Sequence, residues 1–194
     1  MHRQLLLNKL RASSAGDAHE ESMRQQIIKF VEDHTDCFER SSKIGHITGS
    51  AFIVNPRQTH TLLTHHRQLE KWLQLGGHSD GDPDTLNVAL REAEEESGLK
   101  GIVAVSENIF DVDVHPIPER KGEPAHFHYD VRFLFQAEDT APLIVSSESK
   151  DLAWIPLERI TDYTTEESVL RMARKIVPVS LQRPAPPKRG RGEH

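Results

Sequence analysis

Cysteine is almost missing from this chain: Cys37 is the one thiol among 194 residues. A single cysteine excludes an intramolecular disulfide and fits a reducing compartment. Long apolar runs are missing as well. Nothing approaches the ~20 residues of a membrane span, and Leu5-Leu6-Leu7 is too short for the apolar centre of a signal peptide. A soluble, cytoplasmic protein with no membrane partner is expected. Positive charge is in deficit. Lys plus Arg number 24 against 30 Asp plus Glu, a formal net charge of −6 with neutral histidine, which speaks against general nucleic-acid binding by charge. Histidine, by contrast, is plentiful at 12 residues, several of them clustered.

The length sets one domain with extensions as the starting expectation, and is enough to bury a core. Residues 3–12, with Leu5, Leu6, Leu7 and Leu10, and residues 20–33, with Met23, Ile27, Phe30 and Val31, show helical spacing. These two helices form an extension over 1–40. They either cover a sheet or exchange with a second subunit in a homodimer. A central α/β domain over 41–181 follows. Its expected strands are 46–54, 59–66 (joined to the first by the turn Asn55-Pro56-Arg57-Gln58), 72–75, 101–106, 109–115, 126–137 and 151–155. Thr164-x-x-Glu167 reads as a capping box opening a last helix that stops at Pro178. The Pro, Gly and basic residues of 182–194 read as a disordered tail, inert or weakly anion-binding.

Residues 76–99 read as a double-glycine loop followed by a helix. Asp82 suits the N-cap, Pro83 the first helical position, and Gly98 the left-handed residue past the end. On that helix Leu86, Ala89, Leu90 and Ala93 form one apolar arc. Glu92, Glu95 and Glu96 share a neighbouring arc, because residues three and four apart lie on one face. Each like-charge pair ~6 Å apart costs roughly 3 kcal/mol at an effective dielectric near 20, and the helix C-terminus disfavours negative charge further. Either the arc is a solvated acidic face, or divalent cations such as Mg²⁺ or Mn²⁺ offset the repulsion.

Residues 77–99 also resemble the box of the Nudix hydrolases, G-x5-E-x7-R-E-U-x-E-E-x-G-U, with U a bulky aliphatic. Gly77, Arg91-Glu92, Glu95-Glu96 and Gly98-Leu99 match it, and Ala93 is a small but apolar residue at the first U. The departure is Pro83, which stands where the box has its first Glu; Asp82 and Asp84 flank it out of register. The resemblance implies an α/β/α sandwich with a mixed β-sheet. It also implies a Mg²⁺- or Mn²⁺-dependent hydrolase that cleaves the pyrophosphate of a nucleoside diphosphate linked to another group, such as an NDP-sugar, an ADP-ribose-like molecule or a (d)NTP. In that reading Glu95 and Glu96 are the main metal ligands, and Glu92 is a third ligand or a base that orients water. Arg91 pairs with a glutamate, and the Gly77 carbonyl approaches the metal. Glu148 is the candidate for a further acid from a later loop; otherwise it is a surface residue. The other class of function is a non-catalytic Nudix module that senses a nucleotide or serves as an interaction domain; the intact glutamates weigh against it.

The expected strand 126–137 alternates. His126, His128, Asp130 and Arg132 fall on one face, and Asp111, Asp113 and His115 make a similar stripe one strand earlier. The stripe either binds the nucleotide through His126, His128 and Arg132, or forms a satisfied buried network, or holds zinc. His78 either reaches a phosphate or caps its loop. Trp72 suits the core better than a stacked base. Cys37 has no visible activating partner.

Overall fold

The computed structural model describes residues 2–119 and 124–176. The tail from Gln182, the helix stop at Pro178 and the stretch Arg120-Lys121-Gly122-Glu123 lie outside the described residues. Helices α1 (Gln4–Ala12) and α2 (Ala18–Asp33) lead into strands β1 (Gly45–Val54), β2 (His60–His66), β3 (Lys71–Leu73) and β4 (Leu75–His78). Helix α3 (Thr85–Ser97), strands β5 (Val103–Ala104), β6 (Asp111–Ile117), β7 (His126–Gln136) and β8 (Ser149–Pro156), a 3-10 turn (Leu157–Asp162) and α4 (Glu167–Ile176) complete the order.

The sheet is mixed and has eight strands. Its axis is β1, parallel to β7 from Gly45↔Phe127 to Val54↔Gln136 and antiparallel to β2 and β4. Every residue of β1 is buried, so its alternation serves two cores. Ile47, Ala51 and Ile53 pack with α1, α2 and α3. Phe52 and Val54 pack with Leu63, Ile155, Val169 and Met172 under α4. Helices therefore lie on both faces, the α/β/α sandwich expected. The same alternation leaves His46, Thr48 and Ser50 on the α4 side of the sheet, beyond its apolar patch.

The N-terminal helices cover one face of the sheet. Leu6, Leu10, Ile27 and Val31 are at most 1 % exposed, and the Phe30 ring stacks on Tyr129 of β7 at 3.9 Å. Each such side chain contributes about 1.5–3 kcal/mol by leaving water.

Three local expectations are corrected. Helix α3 starts two residues later than the sequence suggests. Its N-cap is Asp84, whose side chain accepts from Asn87 N. Asp82 instead accepts from Asp84 N at 2.9 Å, a local turn that places Pro83 before the helix. Gly76 and Gly77, read as a loop, are strand residues paired with Ser50 and Gly49. At α4, Thr164 Oγ1 accepts from Glu166 N, while Glu167 turns outward to Arg174, so no reciprocal capping box forms. The other end of α3 is as expected: Gly98 takes the left-handed conformation at φ 69° and its N–H donates to Glu94 O.

Candidate active site

Helix α3 rests its Ala89 and Ala93 side in the core, both fully buried, and this sets the neighbouring acidic arc against the end of β4. Arg91 fastens the two elements. Its guanidinium donates to the Glu92 carboxylate at 2.9 Å and to the His78 carbonyl at 3.0 Å. The Glu92 carboxyl lies against the Gly77 backbone so closely that a Cβ at Gly77 would stand 2.3 Å from it. Glycine is required here for close approach rather than for an unusual dihedral. One turn on, Glu96 accepts from Gly76 N at 3.4 Å.

The acids meet at a cost. Burial pushes the Glu96 carboxyl up to about 8; the Gly76 N–H opposes this, and the charges of Glu92, Glu148 and Glu95 add to it. Glu92 is also raised, first by burial, with Arg91 opposing and Glu95 adding. Glu148, on the turn before β8, is thus close enough to act on Glu96 although it is exposed. Glu92 and Glu96 are thus the two carboxylates that lie against the Gly76-Gly77 backbone, and Glu95 and Glu148 act on Glu96 by charge. No three of these carboxylates gather within 4.8 Å among the described residues. The donor set is all oxygen, partly buried and strained as anions, and it fits a hard divalent cation.

On the α4 face of the sheet the two polar stripes lie side by side. Strand β6 pairs antiparallel with β7 and sets Asp111 opposite Arg132, Asp113 opposite Asp130 and His115 opposite His128. Arg132, read from the sequence as either a nucleotide contact or a member of a buried network, sits in a buried network of acids. It is 1 % exposed; Nε donates to Asp130 at 2.7 Å, and its terminal nitrogens lie 3.3 Å from Asp111 and 3.3 Å from Asp113. Arg171 of α4 donates to both oxygens of Asp111, Lys175 reaches the same carboxylate at 2.8 Å, and Thr48 and Ser50 donate to Asp130. At this end of the stripe the buried-network reading is the one the geometry supports.

At the other end lie histidines. The rings of His46, His78, His126 and His128 form a cluster, with centroids 4.8 Å apart for His46 and His128, 4.9 Å for His46 and His78, and 4.9 Å for His46 and His126. His115 borders it at 5.5 Å from His128 and is itself held by Asp113 at 2.9 Å. Burial and the neighbouring histidines hold His46 down to about 4 and His128 to about 2. His46 is the residue that sequence reading passed over as the start of a strand; the alternation His46-x-Thr48-x-Ser50 on a strand otherwise apolar was the available signal. Trp72 stacks on His65 at 5.1 Å and packs against the α4 core. Cys37 is buried, and desolvation pushes its thiol up to about 11, which removes it as a nucleophile.

A mixed sheet between helices, with a glutamate-rich helix end packed on a glycine strand, is the architecture of the Nudix class. The NUDIX domain model matches residues 46–175, and the chain belongs to the Nudix family of hydrolases. Among solved structures it resembles the E. coli dihydroneopterin triphosphate pyrophosphohydrolase, at 12 % identity and TM-score 0.52, over 66 % of this chain and 92 % of that one. A MutT protein from Methanosarcina mazei Go1 is 21 % identical at TM-score 0.50, over 70 % and 94 %. The C. elegans Ap4A hydrolase is 22 % identical at TM-score 0.49, over 65 % and 93 %. At these identities the likeness is one of fold. No curated protein matches the chain. No helix among the described residues is long and apolar enough to cross a membrane.

Proposed function

We propose that this protein hydrolyses the pyrophosphate bond of a small nucleoside diphosphate derivative, an NDP-sugar, an ADP-ribose-like molecule or a (d)NTP, with Mg²⁺ or Mn²⁺ held by Glu92, Glu95, Glu96 and the Gly77 carbonyl. The observation that carries this reading is the double contact of Arg91, which ties Glu92 to the His78 carbonyl and so fixes the acid arc against the Gly76-Gly77 backbone. Divalent ions at these oxygens supply charge neutralisation of the diphosphate and a more acidic attacking water. The chain's own part is positional. Arg91 keeps Glu92 from rotating into solvent. Burial beside three other acids makes the Glu96 carboxylate a strong acceptor. Glu148, on the turn before β8, would be the further acid that completes the site. His126, half-buried at the border of the histidine cluster, would meet the second group of the substrate.

The test is a panel of nucleoside diphosphate derivatives and triphosphates incubated with Mg²⁺ or Mn²⁺, with both products identified by mass. Expected is cleavage between two phosphorus atoms for one group of substrates and none without metal. A panel that is bound but never cleaved supports the sensor reading instead, which the intact glutamates disfavour.

A further inference from the structure

The histidine cluster is a second donor set, separate in chemistry from the acid edge. His46, His78 and His128 come from three strands, yet one ring nitrogen of each lies within 4.8 Å of the other two. Strand pairing fixes their spacing. His46 and His128 are register partners in the parallel β1–β7 ladder, and His78 is paired with Thr48, two residues along from His46. His46 is 2 % exposed and neither of its ring nitrogens has a hydrogen-bond partner; the buried Nε2 of His128 also lacks one. Buried polar atoms are normally paired, and the unpaired ring nitrogens of His46 and His128, on neighbouring strands, call for a ligand that accepts lone pairs.

We propose that His46, His78 and His128 form a three-imidazole site for a borderline transition-metal ion, with Zn²⁺ the best fit. Imidazole selects zinc and its neighbours over Mg²⁺, which prefers oxygen, so the two donor sets of this protein sort different ions. Tetrahedral zinc with nitrogens at about 2.0–2.1 Å places its ligands about 3.4 Å apart. Small rotations of side chains already converging supply that contraction without moving the strands. Burial keeps His46 and His128 neutral, the state in which a ring nitrogen donates its lone pair. His115, anchored by Asp113, walls the far side. A pocket of about 220 Å³, lined in part by Arg40, Lys43 and His126, reaches His46. Three protein ligands leave a fourth position, the arrangement of zinc sites that keep an exchangeable ligand.

The experiment separates this site from the acid edge. Full-length protein carrying Glu92→Gln, Glu95→Gln and Glu96→Gln is titrated with Co²⁺ in excess Mg²⁺, and visible absorption is recorded. Expected is one equivalent of Co²⁺ with the intense bands of a four-coordinate ion, displaced by one equivalent of Zn²⁺. His46→Asn or His128→Ala added to that background weakens binding more than about 10²-fold, beyond the loss of an outer partner, with unchanged circular dichroism. Equal binding with and without these substitutions overturns the proposal. Where a variant does not fold, the zinc-edge absorption spectrum of the wild-type protein with one equivalent of Zn²⁺ decides. Three imidazole scatterers support the site, and an oxygen-only shell or fewer than two imidazoles overturns it. Neither readout depends on hydrolysis, so loss of the pyrophosphatase reading leaves this one standing.

Discussion

The carboxylate of Glu92 occupies the space that a side chain on Gly77 would need, with Oε2 2.3 Å from the position of that Cβ. Gly77 is outside the positive-φ residues, so alanine is conformationally acceptable there. The steric conflict falls on the far end of a flexible side chain, which can swing away cheaply. Gly77→Ala is therefore expected to leave the unfolding midpoint nearly unchanged. It should lower kcat on the order of 10²-fold, the cost of misplacing a reacting group by about 1 Å. Paired urea-denaturation and steady-state measurements check this. A large loss of stability with normal kcat in the remaining folded enzyme contradicts it.

Asp111 is fully buried and receives Arg132, Arg171 and Lys175. Asp111→Asn keeps the shape and removes the charge. The three cations are then left partly uncompensated beneath α4, and a loss of about 3–5 kcal/mol in unfolding free energy is expected. Urea denaturation measures it. If Arg132 were a substrate contact rather than a structural cation, the same variant would raise KM with little change in stability.

The Asp113 carboxyl is held down to about 2. Burial alone would raise it, but the His115 hydrogen bond and the Arg132 and Arg171 charges outweigh burial. Its value in an unfolded chain is about 3.9. A folded-state value below the unfolded one means that Asp113 adds stability in full above about pH 4, and that this stability fades as the pH falls toward 2. The wild-type unfolding free energy should fall across that window, and Asp113→Asn, less stable at neutral pH, should fall less steeply. Parallel slopes would remove Asp113 from the acid-sensitive set.

Phe30 stacks on Tyr129 and is 4 % exposed. Phe30→Ala should destabilise the whole domain by about 3–5 kcal/mol, in one cooperative transition, because α2 is part of the sheet's core. A separate early transition for the N-terminal helices would contradict that packing.

The box was legible because its positions are fixed by helix geometry. Once Gly98 ends a helix, 3.6 residues per turn set Glu92, Glu95 and Glu96 on one arc and Ala89 and Ala93 on the next, whatever surrounds them. Alternation likewise sorted Asp111, Asp113 and His115, and His128, Asp130 and Arg132, each to one face of its strand; that the two strands are neighbours in this register is seen only in the fold. What alternation does not carry is the identity of partners. Arg132 was sorted to the correct face, but whether it meets substrate or protein was decided by Asp111, 21 residues away, and by α4, whose Arg171 lies 60 residues from Asp111. The helix start was misread because Asp82 and Asp84 are both competent caps, and the choice between them depends on how the chain leaves β4. His46 shows in the sequence only as an alternating polar position with Thr48 and Ser50, because its neighbours His78 and His128 reach it through strand pairing.

The central claim is that the acid end of α3 serves divalent ions that carry a diphosphate. Its most direct test follows turnover of a cleaved nucleotide against Mg²⁺ and Mn²⁺ concentration for the wild type and for Glu96→Gln, with nucleotide binding and circular dichroism measured on both. Expected is metal-saturable hydrolysis by the wild type and a loss of at least ~10² in kcat for the folded variant. Near-full kcat in Glu96→Gln, or wild-type hydrolysis that persists after exhaustive chelation, would contradict it.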